Sequence, residues 1–120
     1  MSTFKTKPVL IRPRADAEID ALADYIAADS LDAAARFLDA VQKAFSLIGE
    51  QPGIGSKRYA HLPMWGDLRL WRVPGFERHL IFYVERPDHI DVLRVLHGAR
   101  DIPAALTDDI AHSGLIVGQR

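Results

Sequence analysis

The sequence predicts an α+β fold in which a hairpin of two helices packs on a mainly antiparallel sheet. Apolar residues recur at helical spacing over two segments of the first half of the chain. Three apolar or alternating runs, typical of strands, follow in the second half, and tight-turn sequences separate them. The predicted order is an N-terminal strand, an antiparallel two-helix hairpin, a three-stranded antiparallel meander and a short C-terminal helix.

The N-terminal segment predicts a short strand and a first helix. The run KPVLIRP, residues 7–13, is typical of a strand that Pro13 stops. In the segment ADAEIDALADYIAAD that follows, Asp16 and Glu18 lie in the first turn, where the helix dipole favours anions. The apolar positions at helical spacing are Ala15, Ile19, Leu22 and Ile26. We therefore expect this helix to bury one face.

A second helix is predicted over LDAAARFLDAVQKAFSLIG. Ser30 is the expected N-cap, and Gly49 and Pro52 mark the expected end. Only Asp29 and Ser30 separate the two helices, so they should form an antiparallel hairpin. The apolar stripe of this helix comprises Ala34, Phe37, Leu38, Val41, Phe45 and Ile48.

The second half of the chain predicts three strands, at residues 67–73, 78–85 and 89–97. The links PGFE and RPD are turn sequences, so consecutive strands should pair antiparallel. One face should bury Leu80, Phe82 and Val84, or their neighbours, against the helices. IPAAL, after Asp101, predicts a short helical turn. The expected single core contains Leu22, Ile26, Phe37, Val41, Phe45, Leu80 and Phe82.

Composition indicates one packed domain over residues 1–120. Apolar residues make up 48% and charged residues 26%, as in ordinary globular domains. The absence of cysteine excludes disulfides, thiolate catalysis and cysteine-bound zinc. No apolar run approaches the ~20 residues of a membrane span, and the N-terminal run is shorter than a signal segment of ~7–15 residues. We expect a soluble cytoplasmic protein without membrane contact.

The motifs favour neither catalysis nor a cofactor. No serine lies in a G-x-S-x-G context, and GIGSKR matches no phosphate-binding loop. His97 and Asp101 have the i, i+4 spacing of a helical metal site, but the predicted change from strand to helix falls between them. His97 is more typical of a hydrogen-bonded strand end than of an acid or base. We therefore expect no metal and no cofactor.

Arginines are the most suggestive feature of the meander. Five of them fall on or just beyond its strands, and alternation should direct some to the open face of the sheet. For any single arginine, pairing with a nearby acid (Asp67, Glu77, Glu85, Asp91 or Asp101) is the favoured interpretation. For the group, a surface that binds phosphates or the carboxylates of a partner is favoured. The five arginines are Arg69, Arg72, Arg78, Arg94 and Arg100.

Several motifs, in this order, resemble the ParE branch of the ParE/RelE toxin superfamily of type II toxin–antitoxin systems. They are A..EIDALADYIA, A.RFLDAV...F..I...P..G, LR...V, LIFY and I.VLRVLHGARDI, and they cover residues 8 to about 106. The resemblance thus implies a domain core at about 8–106 and a tail at 107–120. The resemblance implies the same fold that the periodicity predicts. It also implies a bacterial toxin that a cognate, ParD-like antitoxin neutralises in a hetero-oligomeric complex.

The superfamily implies two activities, inhibition of DNA gyrase by ParE-like members and ribosome-dependent mRNA cleavage by RelE-like members. RelE-like toxins often carry a Tyr or His on the C-terminal segment, where this chain has Leu106. The net charge of −1 also gives no overall attraction to nucleic acid, and no direct sequence-specific binding to it is expected. Both observations favour a gyrase inhibitor that is not an enzyme.

Two other functions stay open. One is the RelE-like endonuclease, in which Arg69, Arg72, Arg78 and Arg100 would stabilise phosphate charge and His79 or His97 would transfer protons. The other is an inactive homologue that keeps only antitoxin binding. HGARD is predicted to organise a partner surface, with Arg100 and Asp101 as a possible ion pair. Exposed apolar groups for the antitoxin to cover are expected at Leu31, Trp71 and the tail sequence LIVG. The predicted partner-binding residues are Arg69, Trp71, Arg72, Arg78, His97, Arg100 and Asp101.

Overall fold

The computed structural model describes residues 6–61 and 66–107 and has the α+β architecture that the sequence predicts. Its elements are β1 (Val9–Ile11), α1 (Pro13–Ala27), α2 (Leu31–Glu50), a 3₁₀ turn (Pro52–Ile54), β2 (Arg69–Val73), β3 (Phe76–Glu85) and β4 (Ile90–His97). Residues 102–107 form a short C-terminal helix. The sheet order is β1-β4-β3-β2, with β1 parallel to β4 and the other pairs antiparallel. The tail sequence LIVG lies outside the described residues.

Local signals set the starts of both long helices. Pro13, predicted to stop the strand, is the first residue of α1, where its missing N–H costs no hydrogen bond. The predicted cap of α2 is confirmed, since the Ser30 hydroxyl oxygen accepts a hydrogen bond of 3.0 Å from the Ala33 N–H. The backbone folds back between the two helices at Ala28 to Ser30, which produces the predicted hairpin.

The end of α2 differs from the prediction. The helix continues to Glu50, so Gly49 lies inside it and is buried. A Cβ at Gly49 would lie 2.8 Å from the carbonyl oxygen of Lys7, which is closer than packed atoms can approach. The Lys7 N–H also donates to the Gly49 carbonyl at 3.0 Å. Glycine at this position therefore allows the N-terminal segment to lie against α2, and it does not end the helix.

The expectation of one core is wrong, because the sheet buries both of its faces. The helix-side cluster contains Phe37, Val41 and Phe45 with the strand residues Ile81 and Val95. The far-side cluster lies on the other face of the sheet, where the short C-terminal helix covers it. Its members are Leu68, Leu70, Leu80, Phe82, Val84, Leu93, Leu96, Ile102, Ala105 and Leu106. Leu80 and Phe82 thus belong to a separate core from Phe45.

Alternation along β3 explains this division. Ile81 and Tyr83 point to the helices, and Leu80 and Phe82 point to the far side. The sequence predicts that either Leu80 and Phe82 or their neighbours along the strand face the helices. The structure shows that the neighbours do. Leu38 was also misplaced, because 40% of its surface is exposed. Within the described residues, no helix is both long and apolar enough to cross a membrane.

Candidate functional site

Arg69 has a local structural role on the helix side of the sheet. Its Nη1 donates to the carbonyl oxygens of Gly53 at 3.1 Å and Gly55 at 2.9 Å. The hydroxyl of Tyr83, its cross-strand neighbour, donates to the Pro52 carbonyl at 2.7 Å and accepts from the Gly55 N–H at 2.9 Å. These bonds hold the loop at residues 52–55 beside β2. Arg69 is thus engaged by its own chain.

The loop that Arg69 holds covers one end of the edge strand β2. Ser56 and Leu70 exchange two backbone hydrogen bonds, of 2.8 and 2.9 Å, as an isolated bridge. Beyond Leu70, no described segment pairs with the outer edge of β2. An unpaired strand edge presents backbone donors and acceptors to another chain. The edge therefore offers a site for an added strand.

A groove runs beside this open edge, and we call it the β2-edge groove. It has a volume of about 400 Å³, and its walls include Ile54, Leu70, Trp71, Arg72 and Pro74. Trp71 is half-buried against the helix-side cluster, and its Nε1 has no hydrogen-bond partner among the described residues. Arg72 is exposed and donates from Nη1 to the Glu77 carbonyl at 3.0 Å. The groove thus combines an apolar wall with two charged residues, Arg72 and Glu77.

Three further predicted residues gather where β3 and β4 meet the C-terminal helix, in what we call the strand-end patch: Arg78, His97 and Arg100. The Gly98 N–H donates to the Arg78 carbonyl at 2.6 Å, which brings the start of β3 beside the end of β4. Arg78 and Arg100 are exposed, and neither forms an ion pair with a described carboxylate. The patch therefore has two exposed guanidinium groups at one end of the sheet.

Asp101 does not form the suggested pair with Arg100. Its Oδ1 accepts from the Ala104 N–H at 3.2 Å, and its carbonyl accepts from the Ala105 N–H at 3.0 Å. A carboxylate in this position caps the first turn of a helix. Asp101 therefore fixes the start of the C-terminal helix, and Arg100, the residue before it, stays exposed.

His97 lies opposite His79 across β3 and β4, with ring centroids 5.1 Å apart. Its Nδ1 accepts from the Ala99 N–H at 3.0 Å, so the neutral ring carries its proton on Nε2. The His79 ring packs on Phe37, with the ring centroids 5.0 Å apart. Burial lowers the pKa of His79 and outweighs a backbone hydrogen bond with Phe76 that raises it, so the neutral imidazole is favoured.

The sequence analysis groups Arg94 with the arginines of the predicted binding face. In the structure its side chain is completely buried. Its Nε donates to Glu18 Oε2 at 2.9 Å, and its Nη1 donates to the Ala105 carbonyl at 2.9 Å. The other carboxylate oxygen of Glu18 accepts from the Val95 N–H at 3.0 Å. This network joins α1, β4 and the C-terminal helix. An arginine inside the apolar run VLRVL is the sequence signal for a buried ion pair.

The carboxylates suggested as partners of the meander arginines are engaged elsewhere. Asp91 accepts from Arg12 at 3.0 Å and from Arg86 at 3.0 Å. Burial would raise the pKa of Asp91, but the two guanidinium groups outweigh it and lower that pKa. Glu85 pairs with Lys7 at 2.7 Å. These pairs connect the N-terminal segment to the turn between β3 and β4, so they are structural.

The predicted site residues thus fall into two surfaces and two structural positions. Trp71 and Arg72 border the β2-edge groove, and Arg78, His97 and Arg100 form the strand-end patch. Arg69 and Asp101 organise the backbone beside these surfaces. Arg69 and Arg72 also lie on opposite faces of the sheet, because their partners Tyr83 and Leu80 do. The four arginines of the endonuclease hypothesis are therefore not gathered on one face.

Leu31 and Leu106 differ sharply in their exposure to solvent. Leu31 is 78% exposed, as expected for a surface that a partner covers. Leu106 is fully buried in the far-side cluster, so this position of the C-terminal helix packs on the sheet. In residues 6–61 and 66–107, no group of three or more His, Asp or Glu side chains is placed to hold a metal ion.

Residues 9–102 match the sequence model of a family described as ParE toxin of type II toxin-antitoxin system, parDE. No curated protein matches the chain. The matched range begins at the first residue of β1 and ends at Ile102, the first residue of the C-terminal helix. It therefore includes both helices, all four strands and every predicted partner-binding residue.

Proposed function

The chain belongs to the ParE toxins of type II toxin–antitoxin systems, and from this premise we propose that it inhibits bacterial DNA gyrase by binding it, without catalysing a reaction. A toxin of such a system has a cognate antitoxin. We assign the β2-edge groove to that antitoxin and the strand-end patch to gyrase. The observation that carries the proposal is the family match over residues 9–102.

The geometry of the groove supports a strand-like antitoxin segment. An extended peptide can add to an open sheet edge, where backbone hydrogen bonds give affinity and alternate side chains give specificity. Ile54, Trp71 and Pro74 supply apolar contacts, and Arg72 is exposed for a carboxylate of the peptide. A ParD-like antitoxin would supply this segment and a helix that covers further apolar surface, such as the exposed Leu31. The whole interface should exceed ~1,200 Å².

Replacing Trp71 with alanine should weaken antitoxin binding at least about thirtyfold, because a central aromatic anchor typically contributes ~2 kcal/mol or more. Isothermal titration of the purified toxin with an antitoxin peptide would measure the change. Tyr25→Ala is the matched control, since Tyr25 is an aromatic residue that is 80% exposed on α1. Equal affinities for the Trp71 variant and the wild-type toxin would place the antitoxin elsewhere on the toxin surface.

The strand-end patch is assigned to gyrase because it presents guanidinium groups that no described carboxylate neutralises. A protein that acts by binding needs only different affinities for two gyrase states to shift their populations.

The free protein should block supercoiling by gyrase, or trap cleaved DNA, and should leave ribosome-bound mRNA intact. Arg100→Ala should reduce the inhibition several-fold, as expected when one surface ion contact of ~1 kcal/mol is lost. Arg36→Ala is the control, because Arg36 is an exposed arginine that pairs with Asp32 on α2. A supercoiling assay beside a translation assay, with and without antitoxin, gives both readouts.

Two outcomes would overturn the gyrase assignment. Cleavage of mRNA on ribosomes with unaffected supercoiling would identify a RelE-like endonuclease. Antitoxin binding without effect in either assay would identify a homologue that keeps only the antitoxin surface. Both outcomes leave membership of the family intact, because that membership follows from the match over residues 9–102.

A further inference from the structure

The open edge of β2 is shorter than the strand itself, which limits the chain segment that it can bind. The Ser56 N–H donates to the Leu70 carbonyl at 2.8 Å, and the Leu70 N–H donates to the Ser56 carbonyl at 2.9 Å. Ser56 thus occupies the outer edge at Leu70. At the other end, Pro74 follows β2 and has no N–H to donate. The edge that is open to another chain therefore lies between Ser56 and Pro74.

Arg72 is the residue whose backbone groups point outward in this interval. Along an antiparallel strand, consecutive residues direct their N–H and C=O groups to alternate sides. Since Leu70 directs both groups to Ser56, Arg72, two residues later, directs both of its groups to the same outer edge. Trp71, which lies between them, directs its groups to β3. The open edge therefore offers one donor–acceptor pair, that of Arg72.

The two faces of this edge differ in their chemistry. Arg72 lies opposite Leu80, so its exposed side chain is on the far side of the sheet. Trp71 and Ile54 pack against the helix-side cluster, and they form the apolar wall of the β2-edge groove on that side. In a paired strand, the residue opposite Arg72 has its side chain on the Arg72 face, and both of its neighbours have theirs on the Trp71 face. A bound segment should therefore alternate in chemistry as the edge does.

We propose that the β2-edge groove selects an extended segment in which an acidic residue lies between two apolar residues, bound antiparallel to β2 with the acidic residue opposite Arg72. This inference rests on the proposed assignment of the groove to the antitoxin, and it names the sequence pattern of the antitoxin segment. In the antiparallel direction one residue exchanges both backbone bonds with Arg72, and such pairing is more stable per residue than parallel pairing. The two apolar side chains pack on Trp71 and Ile54.

The charges of the groove place the acidic residue opposite Arg72. The Nη1 of Arg72 donates to the carbonyl of Glu77, and among the described residues no carboxylate forms an ion pair with this guanidinium group. Glu77 also lines the groove, and its carboxylate accepts from the Gly75 N–H at 2.9 Å in the turn after β2. An incoming carboxylate is thus attracted by Arg72 and repelled by Glu77. Because the Coulomb energy falls with distance, the position directly opposite Arg72 favours the acid most.

A set of capped synthetic peptides of about nine residues, identical outside their three central positions, tests this pattern on the whole chain. The central sequences are Val-Glu-Val, Val-Gln-Val and Ser-Glu-Ser. In isothermal titration, the Val-Glu-Val peptide should bind about twofold to fivefold more tightly than the Val-Gln-Val peptide, as expected for one exposed ion contact. It should bind at least about tenfold more tightly than the Ser-Glu-Ser peptide, which has no apolar side chains to pack on the groove wall.

Two variants of the groove identify the charges that act. Arg72→Gln should lose the preference for the Val-Glu-Val peptide over the Val-Gln-Val peptide, because the cation that distinguishes them is absent. Glu77→Gln should bind the Val-Glu-Val peptide about twofold more tightly than the wild type does, because a like charge is removed. Arg36→Gln is the matched control and should keep the wild-type preference, since Arg36 is an exposed arginine that pairs with Asp32 on α2.

Amide hydrogen exchange with the Val-Glu-Val peptide at saturation tests the register. Protection of the Arg72 amide should rise about fivefold or more, and that of the Trp71 amide, which points to β3, should change by less than about twofold. Unchanged protection of Arg72, equal affinities for the Val-Glu-Val and Val-Gln-Val peptides, or binding of neither would overturn the pattern. These results leave gyrase inhibition untouched. The affinity of the Trp71→Ala toxin for the antitoxin tests the assignment of the groove separately.

Discussion

Replacing Arg94 with alanine is expected to lower the free energy of unfolding by ~3–5 kcal/mol, the usual cost of removing one partner from a buried ion pair. Arg94 is fully buried, and Glu18 has only 17% of its side-chain surface exposed. The substitution leaves the Glu18 carboxylate without its cation and the Ala105 carbonyl without its donor. Small domains are stable by only ~5–15 kcal/mol, so this loss is a substantial part of the total free energy of unfolding.

Chemical denaturation measures this effect, and two variants identify its cause. Arg72→Ala removes an exposed arginine from the same sheet and should change stability by less than ~0.5 kcal/mol. Arg94→Met keeps most of the volume but leaves Glu18 unpaired, so it should remain strongly destabilised. Adding Glu18→Gln to Arg94→Met should recover part of the loss, because the buried carboxylate is then neutral. A midpoint of Arg94→Ala equal to that of the wild type would show that the ion pair contributes nothing to stability.

Much of the fold could be predicted from local patterns in the sequence. The stripe of apolar residues on α2 predicts the buried positions Phe37, Val41 and Phe45, and Ser30 predicts the helix start. Turn sequences predict the antiparallel meander. Such signals act within a few residues along the chain, which is why single-sequence reasoning detects them.

The division into two cores could not be predicted in the same way. Strands β3 and β4 are apolar on both faces, so alternation does not tell which face meets the helices. The choice between Ile81 and Phe82 depends on the register with neighbouring strands and on the C-terminal helix that covers the far side. Register is a non-local property. The prediction of a single core failed for this reason.

The candidate surfaces also depend on contacts between residues that are distant along the chain. Trp71 and Arg72 were predicted as partner residues from the strand that carries them. The groove beside them depends on Arg69 and Tyr83, which hold a distant loop against the edge of the sheet. Arg94 was grouped with exposed arginines because its partner, Glu18, lies 76 residues earlier in the chain. The residue types indicated a binding surface, but the face of the sheet to which each side chain points could not be predicted.

Replacing both Phe45 and Phe82 with alanine is expected to destabilise the domain by ~6–10 kcal/mol, which is ~3–5 kcal/mol for each lost ring. Phe45 is 4% exposed and Phe82 is fully buried, so each truncation leaves a cavity. The double variant should be unfolded in water, because this loss approaches the whole stability of a small domain. Circular dichroism of the purified variants would detect it, and Leu38→Ala is the control, since Leu38 is 40% exposed on the same helix as Phe45.

Milder substitutions turn the same two positions into a test of the two-core arrangement. Phe45→Leu and Phe82→Leu should each cost less than ~1.5 kcal/mol and leave a measurable folded state. Because Phe45 belongs to the helix-side cluster and Phe82 to the far-side cluster, their effects should add within ~0.5 kcal/mol. Residues that share one core couple by ~0.5–3 kcal/mol, so a larger deviation from additivity would contradict the separation of the cores by the sheet. Only Phe82→Leu should increase hydrogen exchange at the Ala105 amide, because Ala105 packs in the far-side cluster with Phe82.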